Sequence, residues 1–368
     1  LAQQWLDKEE PVVRNRTFAL SQAPRKARTS VRRLASGIVL GAALSFLCSS
    51  PFFGFGTGAA GAAEAPRIEV TGKPDPLEAE IIVVRDGAQL ALRHWMAEAP
   101  QAVIVAIHGM NDYSRGFAIP APRWAELGFT TYAYDQRGFG RSPGAGRWHG
   151  SGAMRQDLSD VVAALRARHP DLPLFVLGES MGGAVVMSAL DQGPELDADG
   201  VILIAPAVWG WGALPFTHRA ALWLAAHVAP GWTMTGSGIK ITPSDNLEML
   251  IENGRDPLFL KDTRADSVYG LVDLMDEAYE SGPSLSTTAQ SGTPVLIVYG
   301  GRDEIIPNEA TEEVLAVIDD AVEIKHYPEG YHMILRDLEA APRWDDVGNW
   351  LMEKLPAGGA GRAGEALQ

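Results

Sequence analysis

The stretch LPLFVLGESMGGAVVMSAL, residues 172–190, decides how this chain reads. Its opening residues are apolar throughout, which suits a strand covered on both faces of a parallel sheet, and GGAVVMSAL has helical spacing. Between them sits Gly178-Glu179-Ser180-Met181-Gly182, a Gly-x-Ser-x-Gly pattern in a strand–turn–helix context. A turn that tight holds its serine in a strained conformation, requires glycine where a Cβ would clash, and projects the hydroxyl above the strand ends. A second copy, Gly140-Arg141-Ser142-Pro143-Gly144, falls in a loop. Its serine is followed by proline, which has no N–H to offer an oxyanion, so Ser142 is set aside.

Outward from this stretch, short apolar runs recur at 102–107, 129–134, 201–205, 294–299 and 322–327, separated by helical or loop segments. Before them EIIVVRD and QLALRHW alternate around Asp86-Gly87, which predicts a β-hairpin. An antiparallel start followed by a βα succession gives an α/β fold: a mostly parallel, eight-stranded, doubly wound sheet with helices on both faces. One interval breaks the rhythm. Residues 209–290 intervene between two strands expected to be near neighbours; they begin with the Trp-rich WGWGALPFTHRAALWLAAHVAPGW and continue with Val268, Leu271, Val272, Met275 and Tyr279 on one helical face. This predicts a helical cap over the strand ends, with Trp209, Trp211, Trp223 and Met275 as candidate substrate contacts. The folded domain is expected over 66–355, and 356–368 is expected to be disordered.

A serine hydroxyl needs a base, and the base needs an orienting acid. Asp303 stands just past the strand PVLIVY, and His332 lies in the loop after the last strand, VEIKHY. Asp319 and Asp320 compete with Asp303 for the acid. The strand AVIVAI ends in His108-Gly109, so the Met110 amide is expected to face the same pocket as that of Met181 and to form an oxyanion hole with it. His108 is read as structural, and YDQRGFGRS (134–142) as fixing the adjoining turn through Asp135 and Arg137 without chemistry.

The composition, 46% hydrophobic and 21% charged, is globular, and 31 Lys and Arg against 46 Asp and Glu give a net charge of −15. Eight basic and three acidic side chains lie in the first 33 residues, so the rest of the chain is more acidic still. Such a surface repels phosphate backbones and excludes nucleic-acid partners. The single cysteine, Cys48, precedes the expected domain, so no disulfide or Cys-ligated zinc belongs to the fold; no metal or cofactor is expected. Residues 25–33 are basic, and 34–63 carry no charge. With an apolar run at 34–47 and small-residue sites such as Ala60-Gly61-Ala62, residues 1–65 read as a targeting or anchor segment and linker. Export to the periplasm or beyond, or anchoring in a membrane, is the expectation, with Val31 a candidate start; a lipoprotein fits less well because Ser45-Phe46-Leu47 precede Cys48.

Five motifs in order, HGMNDYS (108–114), YDQRGFGRS (134–142), LGESMGG (177–183), GGRDEIIP (300–307) and GYHMIL (330–335), make the chain resemble an α/β-hydrolase of the monoacylglycerol lipase and lysophospholipase branch, a serine aminopeptidase-like family. The resemblance covers about 80–355. It implies a serine esterase on lipid-like esters, with Ser180, Asp303 and His332 as triad, the Met110 and Met181 amides as oxyanion hole, and 209–290 as a lid meeting the acyl chain. It also implies a small-molecule lipid ester as partner; membrane association through the N-terminal apolar segment and the cap is a separate expectation from the chain's own residues. The N-terminal segment departs from the soluble members of that branch. A peptidase, perhydrolase or acyltransferase on the same scaffold, or a non-catalytic binding protein, are the competing readings.

Overall fold

The strands form where the apolar runs predict them, and their burial follows from their place in the sheet. β1 (Arg67–Val70), β2 (Glu80–Val83) and β3 (Gln89–Trp95) are antiparallel, and β3 also pairs antiparallel with β5 (Phe129–Tyr134). From β5 onward every pairing is parallel, through β4 (Ala102–Ile107), β6 (Leu174–Glu179), β7 (Gly200–Ile204), β10 (Val295–Gly300) and β11 (Glu323–Tyr327). The order across the sheet is β1-β2-β3-β5-β4-β6-β7-β10-β11, nine strands rather than the expected eight. The added strand is β1, whose RIEV is short, charged at alternate positions and half-exposed, so it lacks the apolar run that marks the others. β4, β5, β6 and β7 are buried along their whole length, whereas β11, with one neighbour, alternates between half-buried and exposed.

The computed structural model describes residues 64–72, 80–235 and 241–356. Residues 1–63 of the segment predicted over 1–65, Cys48 among them, residues 236–240 of the predicted cap, and residues 357–368 of the predicted tail lie outside the described residues. Among those described, no helix is long and apolar enough to cross a membrane.

Helices cover both faces of the sheet. On β4, Val103, Val105 and Ile107 face a cluster with α2 (Ser151–Arg168) and α3 (Met181–Gln192), while Ala102, Ile104 and Ala106 face the opposite cluster with α1 (Pro120–Glu126) and α9 (Ala341–Glu353). The period of two assigns alternate side chains to opposite faces. Trp124 and Trp350 are buried on the second face, where the Trp350 ring meets Phe175 edge-on at 6.1 Å.

β7 and β10 are parallel neighbours. The chain between them forms α4 (Phe216–Val228), the strand pair β8 (Thr233–Thr235) and β9 (Asp262–Arg264), α5 (Leu247–Arg255), α6 (Ala265–Glu280) and α7 (Gly282–Gln290). Leu274, Met275 and Ala278 of α6 and Leu285 of α7 are buried in the same cluster as α3. The end of this interval is therefore continuous with the main core. α4 buries none of its residues.

Candidate active site

The serine turn follows from steric necessity at the end of β6. Ser180, just before α3, takes φ 54° and ψ −117°, a conformation a non-glycine residue adopts only when its surroundings impose it. A Cβ on Gly178 would stand 2.5 Å from the Gly182 carbonyl oxygen, and one on Gly182 only 2.2 Å from that of Ile107. The turn is pinned by Ser180 N–H donating to Ile204 O at 2.9 Å, and by the Ser180 carbonyl accepting from Ala184 and Ala207 N–H.

The three predicted residues meet. His332 Nε2 lies 2.8 Å from Ser180 Oγ, and His332 Nδ1 lies 2.7 Å from Asp303 Oδ2. With Asp303 as acceptor, the proton sits on Nδ1, which leaves Nε2 to accept from the Ser180 hydroxyl. The other Asp303 oxygen accepts from the Ile305 and Ile306 amides at 2.8 and 2.9 Å, so the acid is held by the loop after β10. The imidazole and carboxylate are almost fully covered, 6% and 4% exposed, whereas Ser180 is partly open. Asp319 and Asp320, the competitors for the acid, are exposed in the turn before β11.

The Met110 turn sits directly against this group: a Cβ on Gly109 would lie 3.1 Å from Ser180 Cβ. Among the described residues neither the Met110 nor the Met181 amide donates to an acceptor. Met181 opens α3, where the first N–H groups have no intrahelical partner and the helix dipole favours negative charge. His108 is locked beneath the turn. It is buried, its Nε2 accepts from Gln136 N–H at 3.0 Å, and Nδ1 therefore donates to Gly109 O at 2.8 Å. Burial pushes its pKa down, which keeps it neutral. Asp135 and Arg137 act on the neighbouring turn as predicted: Asp135 accepts from Ser114 and Arg141 N–H, and Arg137 pairs with Asp157 and Asp86.

The cap residues are placed differently from the triad. Trp209 and Trp211 line a cavity of about 500 Å³ with Asp276, Tyr279, Glu280 and Glu313, and Trp211 is tied by its indole N–H to Asp273. Trp223 is half-exposed and stacked on His227 at 4.4 Å. Met275 is buried in the core. The four therefore do not form one cluster: two line this cavity, one stands at the surface and one is in the core.

Two features were missed from sequence. Segment 242–246, leading into α5, fastens onto the triad loops: Thr242 N–H donates to Glu304, Met333 N–H to Pro243 O, Ser244 Oγ to Asp337, and Asn246 Nδ2 to Arg336 O. Beneath Ser180, Arg336 pairs with Asp112 and Glu179, all three buried. Burial opposes the charge of Arg336, and Glu179 and Asp112 more than offset it, so its pKa is raised. A signal for this cluster was present: Glu179 ends an apolar strand, and a charge there must be paired.

The family model for serine aminopeptidase, S33, matches residues 98–339, which span every residue of this site. The monoacylglycerol lipase of Mycolicibacterium smegmatis is 27% identical over 285 residues, 73% of this chain and 95% of that protein. The mouse monoglyceride lipase is 25% identical over 289 residues, 76% and 92%. Two solved structures share the fold: a Paleococcus ferrophilus monoacylglycerol lipase (TM-score 0.61, 21% identity, 72% of this chain and 99% of that one) and a soluble variant of the Saccharomyces cerevisiae monoglyceride lipase with a substrate analog (0.62, 19%, 74% and 94%). With its mostly parallel sheet and the serine turn at the end of β6, the chain has the α/β-hydrolase fold and belongs to the serine aminopeptidase S33 family.

Proposed function

We propose that this protein is a carboxylic ester hydrolase of lipid-like esters, monoacylglycerols or lysophospholipids, working through an acyl-enzyme on Ser180. The observation that carries the reading is the unbroken chain Ser180 Oγ, His332, Asp303 at 2.8 and 2.7 Å beside two unengaged amides. In this mechanism His332 Nε2 takes the Ser180 proton as Oγ attacks the ester carbonyl carbon. The carbonyl π electrons move to oxygen, and that oxyanion accepts from the Met110 and Met181 N–H groups, each worth about 3 kcal/mol in the transition state. Collapse expels the alcohol, protonated by His332. Water, deprotonated by the same nitrogen, then releases the fatty acid. Asp303 keeps the imidazole in the productive tautomer and stabilises its charged form.

The lipid class rests on the relatives named as monoacylglycerol and monoglyceride lipases and on the surface of α4. Phe216, Trp223, Leu224 and Val228 there, with Trp232 just beyond, are 51–81% exposed. An apolar patch of this kind on a cap suits contact with a lipid aggregate. Purified protein should hydrolyse emulsified monoacylglycerol or lysophospholipid and be labelled by a fluorophosphonate. Cleavage of aminoacyl arylamides with no ester hydrolysis would make it a peptidase instead, and failure to label would remove the serine mechanism.

A further inference from the structure

One side chain ties the His332 loop to both the serine turn and the Met110 turn. Arg336, four residues past His332, is 4% exposed. Its Nη1 donates to Asp112 Oδ2 at 2.6 Å, and Nη2 lies 3.2 and 3.3 Å from the two Glu179 carboxylate oxygens. Glu179 immediately precedes Ser180, and Asp112 follows Met110 by two residues. The Arg336 backbone is fixed as well, its N–H donating to Met333 O at 2.7 Å and its carbonyl accepting from Asn246 at 2.9 Å.

A buried cluster of one guanidinium and two carboxylates is a poor way to gain stability, because desolvation consumes most of the attraction. What it does supply is geometry. The planar fork fixes the distance and angle between the two carboxylates in a way a point charge does not. Those carboxylates stand on the serine turn and the Met110 turn, and the oxyanion donors are the Met110 and Met181 amides of the same two turns. We propose that Arg336 is a positioning residue for the ester hydrolysis assigned above, setting the spacing of the two oxyanion donors and, through its own loop, the seat of His332 over Ser180. This inference rests on that reading of the site. Arg336 does not touch the reacting atoms; it acts through Glu179, Asp112 and the loop it shares with His332.

A second, partly buried ionic group supplies the control. Arg155 pairs with Glu277 at 2.6 Å and with Ser188 at 2.7 Å, joining α2, α6 and α3 away from the triad. The test uses the full chain in three variants: Arg336→Lys, which keeps the charge without the fork; Arg336→Met with Asp112→Asn and Glu179→Gln, which leaves no buried charge alone; and Arg155→Met. Thermal unfolding, kcat and KM on a soluble short-chain ester, and the proton NMR resonance of the His332 Nδ1–H are measured for each. A displacement of about 1 Å at a donor costs on the order of 100-fold in rate. Both Arg336 variants are expected to lose about 10- to 100-fold in kcat with little change in KM, and to shift the His332 resonance. Arg155→Met is expected to lower the unfolding temperature and leave kcat and the resonance as in the parent. Folded Arg336 variants with parental kcat and resonance would overturn the proposal. So would kcat losses no larger than that of Arg155→Met, or failure of both Arg336 variants to fold, which would make the residue structural. A parent protein inert on every ester would defeat the proposed function alone, and the resonance comparison would still decide the role of Arg336.

Discussion

The chain carries Gly-x-Ser-x-Gly twice, and the two turns have opposite fates. Ser180 is partly open, strained at φ 54°, and shares its hydroxyl with His332 Nε2. Ser142 is 4% exposed; its hydroxyl donates to Asp135 O at 2.5 Å and accepts from Ala91 N–H at 3.0 Å. One serine has a base and is partly open, while the other has its donor and an acceptor position consumed by the backbone. The difference teaches that five residues specify a tight turn, and the element that follows decides what the serine does. After Ser180 a helix begins and offers a free N–H; after Ser142 comes Pro143.

The sharpest way to break the comparison is to exchange each hydroxyl for hydrogen. Ser180→Ala is expected to lower kcat on any ester by about six orders of magnitude, as removal of a triad nucleophile does elsewhere, with a normal unfolding transition. Ser142→Ala should leave kcat within a factor of two or so of the parent and cost about 1–3 kcal/mol, because two buried backbone groups lose their partner. Rates on a chromogenic ester and urea titrations measure both. Active, folded Ser180→Ala protein would contradict the assignment.

The next effect lies in the acid. Asp303→Asn should cost about 10⁴ in kcat by favouring the wrong imidazole tautomer, whereas Asp319→Asn, at an exposed turn, should cost nothing measurable. The same ester assay ranks the two, and a normal Asp303→Asn enzyme would mean that another carboxylate orients His332.

How far the sequence carried the reading depended on whether a residue's role was local. Strands buried on both faces announce themselves as apolar runs, and the serine turn by its glycines, so β4, β6 and Ser180 were legible. Asp303 and His332 were legible because each stands in a loop just after a strand, where this architecture gathers side chains. β1 was not, since pairing with β2 supplies what its own RIEV lacks. The cap tryptophans were read as substrate contacts from composition, but whether an indole faces a pocket, a carboxylate or solvent depends on helix orientation, which periodicity does not fix. Arg336 was missed for the same reason: its partners lie 157 and 224 residues away.

The smallest expected effect comes from the residue that joins the two serine turns. His108 accepts from Gln136 N–H next to Asp135, the carbonyl partner of Ser142, and donates to Gly109, which packs on Ser180. Its pKa is lowered by burial, so below the ordinary value of about 6.5 the unfolded chain takes up a proton that the folded protein refuses. The unfolded state then binds more protons, and stability falls as pH drops through that range. His149 and His169, also lowered chiefly by burial, add to the slope with the same sign. His108→Gln removes one titrating group while keeping a polar side chain. It is expected to flatten the dependence of unfolding free energy on pH below about 6.5 by up to about 1.4 kcal/mol per pH unit. Urea unfolding at several pH values between 5 and 7 reads this directly, and because the slope is compared rather than the stability, a general weakening by the substitution does not obscure it. Parallel curves for parent and variant would show that His108 is free to take up its proton in the folded state, and the two turns would then be joined by something other than a neutral imidazole.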